Sequence, residues 1–140
     1  MSASLKPPRG RIVSRAAQML DDDAFAKDLG VELVSEDPLT LQMVVADRHL
    51  NFLGVGHGGM LFSLADVAFG LASNLPGPVA FAVDTHLVLT AGSHKGDVLT
   101  AVVEELARGK TLATYRVLLK RQDGRLAGNF TGTVSLKSTV

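Results

Sequence analysis

The chain has 140 residues, no cysteine, and 14 basic against 14 acidic side chains, with a mean hydropathy of +0.24. Balanced charge leaves no electrostatic footprint for nucleic acid or an anionic membrane surface, and the lack of cysteine excludes a disulfide scaffold, a thiol nucleophile and thiolate metal sites. Apolar residues make up 46%, enough for one domain with a real core and a surplus that suits burial on assembly.

In chain order, residues 1–10, with Pro7, Pro8 and Gly10, read as a flexible N-terminal tail and 11–140 as a single domain. The start has no apolar h-region, so no signal peptide is expected and a cytoplasmic protein fits. Ile12 to Leu29 is helical in pattern, with a split expected at Asp21-Asp22-Asp23, where an aspartate can cap a second short helix, and a stop at Gly30. Val31–Ser35 and Leu39–Ala46 read as strands about a turn at Asp37-Pro38. A turn over Asn51–Gly59 then leads into a central helix that runs to Asn74 and is stopped by Leu75-Pro76-Gly77-Pro78. Three or four long strands follow: Val79–Thr90, Asp97–Ala107, Thr111–Arg121 and Arg125–Leu136. Their breaks are Ala91-Gly92, Arg108-Gly109-Lys110 and the Gln122-Asp123-Gly124 hairpin turn. Helices and strands do not alternate after the central helix, so a doubly wound parallel sheet does not fit. The reading that places every segment is α+β: one long central helix wrapped by a curved antiparallel sheet. Asp66, Asp84 and His86 interrupt the longest apolar runs, so none reads as membrane-spanning.

The segment Asn51 to Asn74 carries the chemistry. Gly58 and Gly59 have no side chain to hold a ligand away from their N–H groups. A helix starting here leaves its first N–H groups without internal partners and points its positive dipole end the same way. Such a turn suits the oxygen of a polarised carbonyl, and His57 and Asn51 add polar side chains at that end. From Met60 to Ser73 apolar residues go almost all the way round, so the helix reads as buried on most faces, with Asp66 its one carboxylate. A buried charge needs a partner or a use. A carbonyl-polarising turn plus a carboxylate is a minimal hydrolase kit. Yet Gly58 and Asp66 lie eight residues apart, roughly 12 Å along one helix. One carbonyl cannot touch both, so if both act on one bond they come from two antiparallel copies of the helix, which predicts a homodimer with two shared sites.

Asn51, His57-Gly58-Gly59 and Leu64-Ala65-Asp66-Val67-Ala68-Phe69 together resemble the signature of hotdog-fold acyl-CoA thioesterases, nearest to the PaaI-like group named for phenylacetic acid degradation. The Asp97-x-Leu-Thr-Ala101 strand, the Arg108–Thr111 turn and a last strand near Gly128–Val134 add weaker matches. The resemblance implies a hotdog fold and hydrolysis of aryl-acetyl, phenylacetyl-type, or other short to medium acyl-CoA thioesters to free acid and coenzyme A. It needs no cofactor beyond the coenzyme A of the substrate, and it implies a homodimer joined into a homotetramer. Asp66 would be the catalytic acid, as general base or nucleophile. The Gly58 N–H would polarise the thioester carbonyl, with His57 and Asn51 binding it and positioning water. Gly59, Ser63 and Phe62 would border the substrate, and Arg108, Gly109, Lys110 and Thr111 would meet coenzyme A, its phosphates facing the basic pair. Relatives often carry a Ser or Thr helper four residues after the acid; here that position is Gly70. They often have Pro where this chain has Ala91, before Gly92.

Plainer explanations stand beside these. Asp66 can be a hydrogen-bonded structural acid, His57 a helix cap or interface residue, Asn51 a turn residue, and Ser63 structural. Arg108 and Lys110 can sit in a solvated hairpin. Arg121 and Arg125 are further phosphate candidates. Leu61, Phe62, Phe69 and Phe52 are the residues expected to shape an acyl pocket. His49, His86 and His94 read as surface or packing residues and form no metal-ligand set with His57. No serine-nucleophile elbow, P-loop or dinucleotide fingerprint is present. Two other readings remain: a hotdog hydratase or dehydratase, and a non-catalytic acyl-CoA-binding protein.

Overall fold

The structure, a computed structural model, describes residues 13–137; the tail expected over residues 1–10 lies outside them. Two short helices open the described chain, α1 (Arg15–Asp21) and α2 (Ala24–Leu29). They are separate because two caps make them so. The Ser14 hydroxyl accepts the Ala17 N–H at 3.1 Å, and the Asp23 carboxylate accepts the Ala26 N–H at 3.0 Å. Gly30 ends α2 in the left-handed region, at φ 84°.

Strands β1 (Glu32–Glu36) and β2 (Leu39–Val44) form a hairpin, followed by a short 3₁₀ turn at Asp47–His49 that sequence reasoning did not anticipate. The central helix α3 spans Gly58–Asn74. Then come β3 (Ala80–Leu89), β4 (Val98–Arg108), β5 (Leu112–Arg121) and β6 (Leu126–Leu136). All pairings are antiparallel, in the order β1-β2-β4-β5-β6-β3. The sheet is open: β1 and β3 are its two edges. Register shifts at Leu33/Ser35, Ala82/Asp84, Glu105/Ala107 and Leu119/Lys120 mark bulges, which bend strands and let the sheet curve around α3.

The core lies between α3 and the sheet. Leu64, Phe69, Leu41, Leu99, Val117, Leu119 and Phe130 are fully buried there, each stabilising the fold by roughly 1.5–3 kcal/mol relative to exposure. Phe69 stacks on Phe130 at 5.3 Å and meets Tyr115 edge-on at 5.9 Å. Gly132 makes room for it, since a Cβ there would stand 2.7 Å from the Phe69 ring. The Asn74 side chain ties the end of α3 to the start of β3, accepting the Ala80 N–H at 2.9 Å and donating to the carbonyls of Gly70 and Ala80. One expectation is corrected here. The helix is not buried on the face that carries Asp66: α1 and α2 cover α3 only in part, and Asp66 is open to solvent in the single chain.

Candidate active site

The turn before α3 is shaped by the Asn51 carboxamide. Its oxygen accepts the N–H groups of Leu53 at 2.9 Å and Val55 at 3.3 Å, while the Asn51 N–H bonds the Val55 carbonyl at 2.8 Å. Its NH₂ has no protein partner among the described residues. His57 caps the helix: Nδ1 accepts the Gly59 N–H at 2.8 Å, and its own N–H is held by the His49 carbonyl at 2.8 Å. The Met60 and Leu61 N–H groups bond the His57 carbonyl. Of the helix's first N–H groups, the one at Gly58 therefore stands without a partner among the described residues. It borders a recess of about 390 Å³ with Asn51, Gly56, Leu61, Leu89 and Gly92. Gly59, whose N–H is taken by His57, does not line this recess, nor does His57 itself.

A second support was not visible in the sequence. Gly56 donates to the Ser93 carbonyl at 2.7 Å, and a Cβ on Gly56 would lie 1.9 Å from the Ser93 hydroxyl oxygen. The segment between β3 and β4 thus holds the turn in place and leaves little room for a side chain at 56. Arg121, a candidate for coenzyme A phosphates, is engaged here: it pairs with Asp123 and donates to the Gly92 carbonyl at 3.0 Å. His49 is a packing residue, as expected. It is buried, its Nδ1 accepts the Ala46 N–H at 2.9 Å, and burial, then the charge of Arg48, lowers its pKa.

Asp66 borders a different recess, of about 430 Å³, together with Met19, Asp23, Phe25, Val67, Gly70 and Leu71. Although the residue is open to solvent, the protein around it pushes the carboxyl above its ordinary value, and the charge of Asp23 pushes further. The two recesses share no lining residue. Around α3, eight residues at 100° each put Gly58 and Asp66 about 80° apart as well as roughly 12 Å along the axis. Within one chain the structure brings Asn51, Gly56 and Gly58 together and leaves Asp66 on another face.

The remaining expected residues fall elsewhere. The Ser63 hydroxyl donates to the Gly59 carbonyl at 2.7 Å, an internal helix contact. Phe62 packs edge-on to Phe130 at 5.7 Å and Phe69 lies in the core, so neither borders Asp66. Leu61 floors the Gly58 recess, and Phe52 is 95% exposed on the turn. Arg108 ends β4 with its guanidinium on Glu105 at 2.9 Å and on the Tyr115 hydroxyl at 2.8 Å, while Gly109, Lys110 and Thr111 form the exposed hairpin beyond. In the sheet this hairpin lies beside the ends of β6 and α3, away from the Gly58 turn. Among the described residues no three His, Asp or Glu side chains gather as a metal site, and no helix is long and apolar enough to cross a membrane.

The profile of the thioesterase superfamily matches residues 53–127, which run from the Gly58 turn through β6's start. The chain belongs to the thioesterase superfamily. A protein of Deinococcus radiodurans named as a candidate esterase is 39% identical over 115 residues, covering 80% of this chain and 78% of that one. The acyl-coenzyme A thioesterase PaaI of Escherichia coli is 34% identical over 119 residues, covering 84% and 85%. The solved structure of the E. coli PaaI protein superposes with a TM-score of 0.85 at 32% identity, covering 89% of this chain and 92% of that one. The fold is the hotdog fold, and the protein is a thioester hydrolase.

Proposed function

We propose that this thioesterase hydrolyses acyl-CoA thioesters, aryl-acetyl or other short to medium acyl groups, in sites shared between two copies of the chain. The observation that carries the reading is the unpartnered Gly58 N–H at one end of α3 with Asp66 at mid-helix on another face. The exposed edge strand supports pairing. Among the described residues β3 pairs with β6 alone, and it leaves Phe81, Val83, Val88 and Leu89 exposed, an apolar edge strand that a second β3 would extend. Two dimers joined as a homotetramer complete the assembly that the family resemblance implies.

In each site the Gly58 N–H of one copy donates a hydrogen bond to the thioester oxygen as negative charge develops on it. The Asn51 NH₂ of the same copy donates to the carbonyl or to the attacking water, and His57 holds the turn. The Asp66 carboxylate of the other copy takes a proton from water. The water oxygen bonds the carbonyl carbon, the tetrahedral oxyanion collapses, the C–S bond breaks, and the proton passes to the departing coenzyme A thiolate. A carboxyl pKa raised above its ordinary value suits this base role, because a base poised nearer the working pH transfers protons better.

Thiol release from phenylacetyl-, hexanoyl- and palmitoyl-CoA, with wild type and Asp66→Asn side by side, tests the reading. Expected is turnover of the first two that Asp66→Asn removes. Tight binding of an acyl-CoA without any turnover would instead make the chain an acyl-CoA-binding protein.

A further inference from the structure

Among the described residues of one chain, nothing fills the recess beside Asp66. Gly70 sits inside α3, where glycine weakens a helix relative to alanine, and a Cβ there would meet nothing within 4 Å. Packing therefore does not require this glycine, unlike Gly132, whose missing Cβ is demanded by the Phe69 ring. What Gly70 preserves is open volume one helical turn beyond Asp66. The facing wall comes from α1 and α2: Met19 from one, and from the other Phe25, whose ring is left 58% exposed. Both helices precede residue 53, where the match to the superfamily begins.

We propose that this recess is the acyl-binding subsite of the thioesterase, with Gly70 setting the depth available and Met19 and Phe25 of the α1–α2 pair selecting the acyl group. The inference rests on the thioesterase reading of Asp66. Its occupant is the apolar acyl group of the thioester, because the recess opens at the carboxylate that attacks that group's carbonyl. Apart from the two carboxylates, Asp23 and Asp66, its lining is Met19, Phe25, Val67, Gly70 and Leu71. Like charges oppose a second carboxylate on the substrate, so the class taken is neutral and apolar, not the half-thioester of a dicarboxylic acid. Of the residues expected to shape the pocket, Phe62 and Phe69 are engaged in the core, Leu61 lines the Gly58 recess and Phe52 is exposed. Met19 and Phe25 thus belong to a segment outside the superfamily match, whereas Gly70 lies within it.

The test compares wild type, Gly70→Leu and Phe25→Ala on acetyl-, hexanoyl-, phenylacetyl- and glutaryl-CoA. In parallel, the binding of hexyl-CoA, a thioether that cannot be hydrolysed, is measured relative to coenzyme A alone. Gly70→Leu fills the recess with a good helix former. It is expected to lower the hexanoyl-to-acetyl ratio of kcat/KM at least ten-fold and to abolish the preference for hexyl-CoA over coenzyme A. Phe25→Ala, at an exposed position, is expected to lower the same ratio several-fold, chiefly through KM. Wild type should disfavour glutaryl-CoA against hexanoyl-CoA at least ten-fold. Ratios within two-fold of wild type in both variants would overturn the proposal. So would an equal loss on every acyl length accompanied by dissociation into monomers, which would show that a second copy of the chain fills the recess. If wild type hydrolyses nothing, the catalytic reading fails separately. The hexyl-CoA preference then decides the subsite: kept in wild type and lost in Gly70→Leu it stands, equal in both it falls.

Discussion

The two recesses on α3 are built from opposite materials. Around Gly58 the free polar groups are one backbone N–H and one carboxamide, held by a web of turn bonds: Asn51 to Leu53 and Val55, His57 to Gly59, Gly56 to Ser93. Around Asp66 they are side chains, contributed by three helices and joined by few hydrogen bonds. A backbone site is rigid and tolerates few side-chain changes, so it suits the invariant demand of a thioester, an oxygen that becomes negative. A side-chain wall can change residue by residue without disturbing a turn, so it suits the variable part of the substrate. The division predicts that lesions on one side remove chemistry, while those on the other redistribute substrates.

The largest effect should come from Asp66, the proposed base on the side-chain face. Asp66→Asn is expected to lower kcat by about 10²- to 10⁴-fold, the usual contribution of a positioned base, with KM little changed in steady-state thiol release. A full-rate mutant would remove Asp66 from the reaction. On the backbone face, Gly58→Pro deletes the N–H and adds a ring whose Cβ would lie 3.1 Å from the end of the Leu89 side chain, at the first helical position where proline is tolerated; His57 before it is already extended, at ψ 135°. We expect kcat to fall by about 10²- to 10³-fold, as for loss of an oxyanion donor, with circular dichroism unchanged. Asn51→Asp keeps the oxygen that holds the turn and removes the free NH₂; a loss of about ten-fold in kcat, ~1.4 kcal/mol of barrier, is expected.

The pH profile sharpens the contrast further. As the proposed base, Asp66 acts when ionised, so kcat/KM should fall as pH drops through its pKa, which the surrounding protein and then the charge of Asp23 raise above its ordinary value. Asp23→Asn still caps α2 but removes the neighbouring charge, so the acid limb should move to lower pH. A limb that stays put would separate Asp23 from the site. The same shift has a stability sign. The fold holds this proton more tightly than the unfolded chain does, so ionising Asp66 costs stability as pH rises from 3.8 through the folded pKa. The smallest effects concern two glycines. Gly132→Ala should destabilise by about 1–3 kcal/mol through overpacking on Phe69, whereas Gly70→Ala should stabilise by about 1 kcal/mol through helix propensity. Thermal melts of the two variants should move in opposite directions.

The backbone face was legible in the sequence, because glycines, a helix start and Asn51 are local signals whose geometry follows from a few residues. Strand and helix order was legible for the same reason: Asp23, Gly30, Pro76 and the Gln122-Asp123-Gly124 turn punctuate the chain where the structure breaks it. The side-chain face was not. Met19 and Phe25 reach Asp66 only because α1 and α2 fold back on α3, a contact across more than 40 residues of chain that no local pattern encodes. Gly70 was read as a missing helper; its open surroundings, visible only in three dimensions, give it a use. Asp66 was read as buried because apolar residues encircle its helix, but a helix covered by two short neighbours keeps one face open. Arg108 and Arg121 looked free in sequence, and their partners Glu105, Tyr115 and Asp123 came from strand pairing and a tight turn.

Complementation between two inactive variants tests the shared site most directly. Gly58→Pro and Asp66→Asn chains are each purified, mixed under conditions that exchange subunits, and assayed for thiol release. In a mixed dimer one site carries both lesions and the other carries neither. Random exchange makes half the dimers mixed, so activity should return to about a quarter of wild type per chain. A mixture no more active than its two components would show that Gly58 and Asp66 do not meet across two copies of the chain.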